Sequence, residues 1–245
     1  MTSRRLFTSI SHLAAALLVS TGAKTPSAEE QGARLMAQLK AASGGSALEA
    51  PAGFHETGAV VRDGVAGTYE VWADLRALRS VATHSLGGHT RTGGFDGRVA
   101  WAVGPDGAVR TDSSPGGLAS ARLGTYLTIF GFFYPDRFPA RFEYRGRREA
   151  DGAAYDVVTA TPQDGLPADL WLDVRTHRLQ RITGTDGETK FEGIVKRHEV
   201  VDGIWVPFEL SQTEGAHRMT QEVKSLTYGP VPPERFAPPA AKPPA

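Results

Sequence analysis

The side chains best suited to bind a metal or move a proton are seven histidines, His12, His55, His84, His89, His177, His198 and His217, and none falls in H-E-x-x-H or H-x-H spacing. His84 and His89 flank Gly87-Gly88 and can face each other across a hairpin, but two imidazoles without a third ligand make a weak site. Acyl transfer by serine needs a G-x-S-x-G elbow, which is missing. Aspartic-protease chemistry needs Asp-Thr-Gly or Asp-Ser-Gly, and Asp112-Ser113-Ser114 lacks the glycine. Asp169 and Asp173 share a strand face around Trp171, yet strand residues at about 3.4 Å each set them about 13 Å apart, too far for either glycosidase geometry. There is no cysteine, which excludes a thiol nucleophile, a thiolate zinc site, a disulfide frame and a lipid-modified N-terminal Cys. Lys+Arg 27 balance Asp+Glu 27, so no basic excess awaits a phosphate backbone. These residues predict no enzyme, no cofactor, no metal and no nucleic-acid partner.

What remains is apolar chemistry. Trp72, Trp101, Trp171 and Trp205 all lie in predicted strands, where aromatics serve as ordinary core or as the lining of a cavity. A cavity of that kind suits an acyl chain, whose burial is worth about 0.8 kcal/mol per methylene. The candidate ligand-binding residues are Trp72, Trp101, Leu170 and Leu172 on strands, with Leu123, Tyr126, Leu127 and Phe130 on a mid-chain helix.

The elements that must position them are legible in the spacing. Ser27-Ala28-Glu29-Glu30 fits a capping box, and Leu35, Met36 and Leu39 recur at helical spacing until Gly44-Gly45. Seven Asp-Gly pairs, at Asp63, Asp96, Asp106, Asp151, Asp164, Asp186 and Asp202, separate runs of period two. Such pairs suit tight hairpins, so an antiparallel meander of roughly ten to eleven strands is expected and a parallel dinucleotide fold is excluded. Ser114-Pro115 reads as an N-cap followed by proline, opening a helix predicted to run through Phe133. Its second half is apolar almost all round and needs cover on more than one side. Arg4-Arg5, the apolar run Leu13 to Val19 and Thr21-Gly22-Ala23 form a signal-peptide layout too short to span a membrane.

Together these segments resemble the LolA-like family of periplasmic outer-membrane lipoprotein carriers. The resemblance is carried by the N-terminal helix, Gly67-Thr68-Tyr69-Glu70-Val71-Trp72 and Phe95-Asp96-Gly97-Arg98-Val99-Ala100-Trp101. It continues through Tyr155-Asp156-Val157-Val158, Leu170-Trp171-Leu172-Asp173, Val201-Asp202-Gly203-Ile204-Trp205-Val206-Pro207-Phe208 and Arg235-Phe236-Ala237-Pro238-Pro239. It implies a mostly β (α+β) fold: an unclosed antiparallel β-barrel of about eleven strands with an N-terminal helix and a mid-chain lid helix. The expected organisation is a signal peptide over 1–28, cleaved after Ala23 or Ala28, one half-barrel domain over 29–229 and a Pro-rich tail over 230–245. The resemblance also implies a periplasmic binding or carrier protein for acylated lipoproteins, lipids or other hydrophobic ligands, acting as a monomer and touching membranes only peripherally. A non-enzymatic lipid-sensing or protein-interaction module of the envelope, with an envelope protein as partner, is the alternative. Export is expected by the Sec route, although Ser3-Arg4-Arg5-Leu6-Phe7 also resembles a twin-arginine signal. The carriers place an arginine that bonds to the lid helices just after the strand matching Gly67 to Trp72; here that place is Ala73-Asp74, and the nearest arginine is Arg76.

Overall fold

Ser27 starts the first helix by reciprocal bonding: its hydroxyl accepts the Glu30 N–H at 3.1 Å, and the Glu30 carboxylate accepts the Ser27 N–H at 2.6 Å. This helix, α1 (Ala28–Ala42), is seen in a computed structural model that describes residues 25–240. The expected cleavage after Ala23, most of the leader and residues 241–245 lie outside the described residues. Leu35, Met36 and Leu39 form the buried stripe of α1.

The hairpins then follow in order: β1 (Gly53–Arg62), β2 (Val65–Asp74), β3 (Arg79–Leu86), β4 (His89–Phe95), β5 (Ala100–Val103) and β6 (Val109–Asp112). After helix α2 (Pro115–Thr128) come β7 (Ala140–Ala150), β8 (Ala153–Pro162), β9 (Ala168–Asp173), β10 (Leu179–Asp186), β11 (Thr189–Val201), β12 (Ile204–Glu214) and β13 (His217–Tyr228). All lie in one sheet of order β6-β5-β4-β3-β2-β1-β13-β12-β11-β10-β9-β8-β7, so the barrel is unclosed between β6 and β7. Every paired neighbour is antiparallel. Thirteen strands exceed the expected eleven because β4 (HTRTGGF) and β6 (VRTD) carry too little apolar residue for alternation to show. Asp63-Gly64, with φ of 49° and 82°, illustrates why Asp-Gly marks the turns: both residues sit where most side chains are strained.

Helix α2 begins as expected, with the Ser114 hydroxyl accepting the Gly117 N–H at 3.1 Å. It ends at Thr128 rather than Phe133, which corrects the predicted length. Phe130 turns into the left-handed region at φ 51°, and Gly131–Phe133 forms a 3₁₀ turn. The cause is close packing: the Tyr126 ring lies against Gly131, where a Cβ would come within 2.4 Å of it. Phe132 and Phe133 then meet edge to face at 4.8 Å and hold the end of the helix in the core. No described helix is long and apolar enough to cross a membrane.

Candidate functional site: a cavity beneath α2

Alternation along β1, β2 and β3 sends Phe54, Glu56, Tyr69, Val71, Ala82 and His84 to the concave face. Helix α2 crosses above them, and the space between is a cavity of about 450 Å³. Leu123, Leu127 and Phe130 form its roof; Leu179, Ile182, Val195, Pro207, Leu210 and Met219 continue the wall through β10 to β13. Arg62, Asp186, Glu192, Glu214 and His217 add charged and polar groups to the lining. A second, much smaller pocket of about 30 Å³ adjoins, bounded by Leu48, Ile129, Phe133, His198 and Ile204. Phe54, Phe130, Leu179 and Pro207 line both spaces, so the Phe130 ring stands in the partition between them. A bulky residue held at positive φ is strained, here at the end of the roof helix.

Three of the ionisable groups in the lining, Glu56, Tyr69 and His84, come from adjacent strands. The Tyr69 hydroxyl donates to Glu56 Oε1 at 2.8 Å, and burial pushes the Glu56 carboxyl up to about 7. Burial, then the adjacent Glu56, raises the Tyr69 hydroxyl well above the usual phenol range. His84 Nε2 is buried without a hydrogen-bond partner, and burial with the Arg62 charge holds its imidazole below the usual value. In the smaller pocket burial pushes His198 down to about 4, helped by the Arg178 charge.

The roof is tied to both halves of the sheet by hydroxyls and one guanidinium. Ser120 donates to Asp186 Oδ1 at 2.5 Å, the Ser80 hydroxyl donates to Thr125 at 3.2 Å, and Arg122 reaches the Asp164 carbonyl at 3.4 Å. The position where the carriers have their lid-bonding arginine serves a turn here. Asp74 accepts the Arg76 and Ala77 N–H groups at 2.7 and 3.0 Å and pairs with Arg79 at 2.5 Å.

Leu123, Leu127 and Phe130, expected from the sequence to touch ligand, do line the cavity. Tyr126, Leu170 and Leu172 are instead packed core, exposed by only 1%, 0% and 1%. Trp72 and Trp101 are on the other, convex face, because Trp72 alternates with the cavity residue Val71. There His55 stacks on Trp72 at 3.6 Å with Arg235 over the ring at 4.7 Å, and the Trp101 N–H donates to the Phe236 carbonyl at 2.8 Å. Trp171 carries Arg148 and Arg181 over its ring at 5.6 and 5.3 Å, while Trp205 borders the small pocket beneath Arg178. The residues missed, above all Glu56, Tyr69, His84 and Ile182, share parity with Phe54, Val71, Ala82 and Leu210 within or across their strands, a phase that marks them only once the concave side of each strand is known. Among the described residues no three His, Cys, Asp or Glu side chains converge as a metal site.

Fold and site define a class: an open antiparallel half-barrel that wraps an apolar cavity closed by a helix. No family model and no curated protein matches the chain in sequence. In structure it is similar to a LolA superfamily protein from Nitrosomonas europaea, with TM-score 0.54, 13% identity, 80% of this chain and 97% of that one covered. It is similar to a putative outer membrane lipoprotein-sorting protein domain from Vibrio parahaemolyticus (TM-score 0.53, 12% identity, 82% and 93% covered). A DUF1329 family protein from Desulfovibrio piger is comparable at TM-score 0.53, 14% identity, 83% and 94% covered. The chain has the fold of these LolA-like, lipoprotein-sorting proteins.

Proposed function

We propose that this protein is a non-enzymatic periplasmic binding or carrier protein for ligands bearing acyl chains. The observation that carries this is the cavity of about 450 Å³ under α2, which falls within the roughly 300–1,000 Å³ of small-molecule sites and whose exposed lining is mostly apolar. The similarity to lipoprotein-sorting folds supports the same reading. Export with cleavage after Ala23 fits it, because cleavage after Ala28 would remove the Ser27 cap that starts α1. The contact residues in this proposal are Leu123, Leu127 and Phe130 above with Ile182, Val195 and Leu210 below; Trp72 and Trp101 are not among them. The test is displacement of an apolar fluorescent reporter from the folded mature protein by a monoacylglycerol. Reporter binding to native protein, reversed by the lipid, is the expected result. Reporter binding that begins only on partial unfolding would show an ordinary core and overturn the proposal.

A further inference from the structure

A cavity for an acyl chain has no need of a carboxyl group, yet β1 places Glu56 in its wall. The placement is built by three adjacent strands. Gly58 leaves room for the Tyr69 ring, since a Cβ there would lie 2.3 Å from Tyr69 Cε1, and so Tyr69 reaches across β1 to Glu56. His84, paired in register with Tyr69, lines the same wall, and its Nε2 is buried without a partner. Four carboxylates line the cavity, Glu56, Asp186, Glu192 and Glu214, against one arginine, Arg62. Arg62 lies 3.8 Å from Glu214, Arg181 lies 3.3 Å from Glu192, and Asp186 takes the Ser120 hydroxyl. Glu56 has no cation within ion-pair distance among the described residues, and Tyr69 is its one side-chain donor. Glu56 faces the space under α2, so a ligand bound there can supply its second donor.

We infer that the cavity selects its ligand by head group: Glu56 hydrogen-bonds a donor head that is neutral or cationic, and its unpaired carboxylate rejects an anionic one. This rests on the cavity being a binding site and adds to it the class of amphiphile bound. Three probes of one chain length separate the chemistries: laurate, 1-monolauroylglycerol and dodecylammonium, each displacing the reporter at about pH 8.5, where laurate and Glu56 are both ionised. Monolauroylglycerol and dodecylammonium should each bind about tenfold or more tighter than laurate. The ratio between those two tells a neutral donor from a cation. In Glu56→Gln, which still accepts the Tyr69 hydroxyl, laurate should come within about threefold of monolauroylglycerol; in Tyr69→Phe, which keeps the carboxylate, the discrimination should persist. Equal affinity for all three probes in the unmodified protein, or a ratio unchanged by Glu56→Gln, would overturn the head-group assignment and leave the cavity. Failure of every probe to displace the reporter would overturn both.

Discussion

The two faces of the β1–β5 half of the sheet both carry aromatic and aliphatic side chains and treat them in opposite ways. On the convex face the chain covers its own rings: residues 230–240 cross β2 to β5, Phe236 is 0% exposed between Val81 and Trp101, and Arg79 lies over its ring at 5.3 Å. A more open groove of about 470 Å³ remains beside this segment, lined by Trp72, Thr83, Thr92 and the prolines themselves. On the concave face none of the described residues fills the space, Leu127 and Phe130 stay half-buried, and Glu56 faces the opening. An apolar surface that its own chain covers contributes to stability; one left open is available to something else.

Four substitutions sharpen that contrast. The largest effect is expected on the convex side: Phe236→Ala empties a fully packed position and should lose about 3–5 kcal/mol of stability, with lipid affinity per folded molecule unchanged. Denaturant midpoints and reporter titrations on the same samples check both halves of this statement. Next is Glu56→Gln. Burial raises the Glu56 carboxyl from 4.5 to about 7, so between those values the folded protein keeps a proton that the unfolded chain has released. That contribution is full below about pH 4.5 and lost as pH rises through about 7, so the variant should gain about 1–3 kcal/mol at pH 8 and little at pH 5. His198, lowered to about 4 by burial, acts in the opposite sense, its contribution being lost as pH falls from 6.5 toward 4; it is common to both proteins and cancels in the comparison. A gain equal at both pH values would mean the carboxyl is hydrated.

Leu127→Ala should lose less stability than a packed leucine, under about 2 kcal/mol, while weakening lipid binding severalfold. A loss of 2–5 kcal/mol with unchanged binding, the range typical of packed leucines, would place the roof helix in the core. The smallest effect belongs to Ser120→Ala, which removes the hydroxyl bond to Asp186 and should change stability by about 1 kcal/mol or less. Stopped-flow displacement should show faster lipid release from this variant if the hydroxyl ties hold the roof closed.

Local chemistry made the frame readable from the residues alone. The Ser27 box, the Ser114-Pro115 start and the Asp-Gly turns each need only neighbours in sequence, and each stands where its residue types require. The end of α2 was hidden because Phe130, Phe132 and Phe133 continue a helical-looking apolar run, whereas the break comes from Tyr126 packing on Gly131. Assigning the faces was harder still. Val71 and Trp72 are both apolar, so β2 lacks the polar alternation that marks one side as solvent, and only the return of Phe236 from far along the chain shows which side Trp72 takes. Glu56 was invisible for a related reason: a carboxylate in a strand signals solvent, and here it faces a cavity.

The contrast between the two faces is tested most directly by photolabelling the folded protein with a monoacylglycerol whose chain carries a diazirine, followed by peptide mapping. Label is predicted on the peptides holding Leu123, Leu127 and Phe130 and on those holding Ile182 and Leu210, with unlabelled monolauroylglycerol competing it away. Label confined to the peptides of Trp72, Trp101 and Val231 would place the ligand on the convex face and contradict the account.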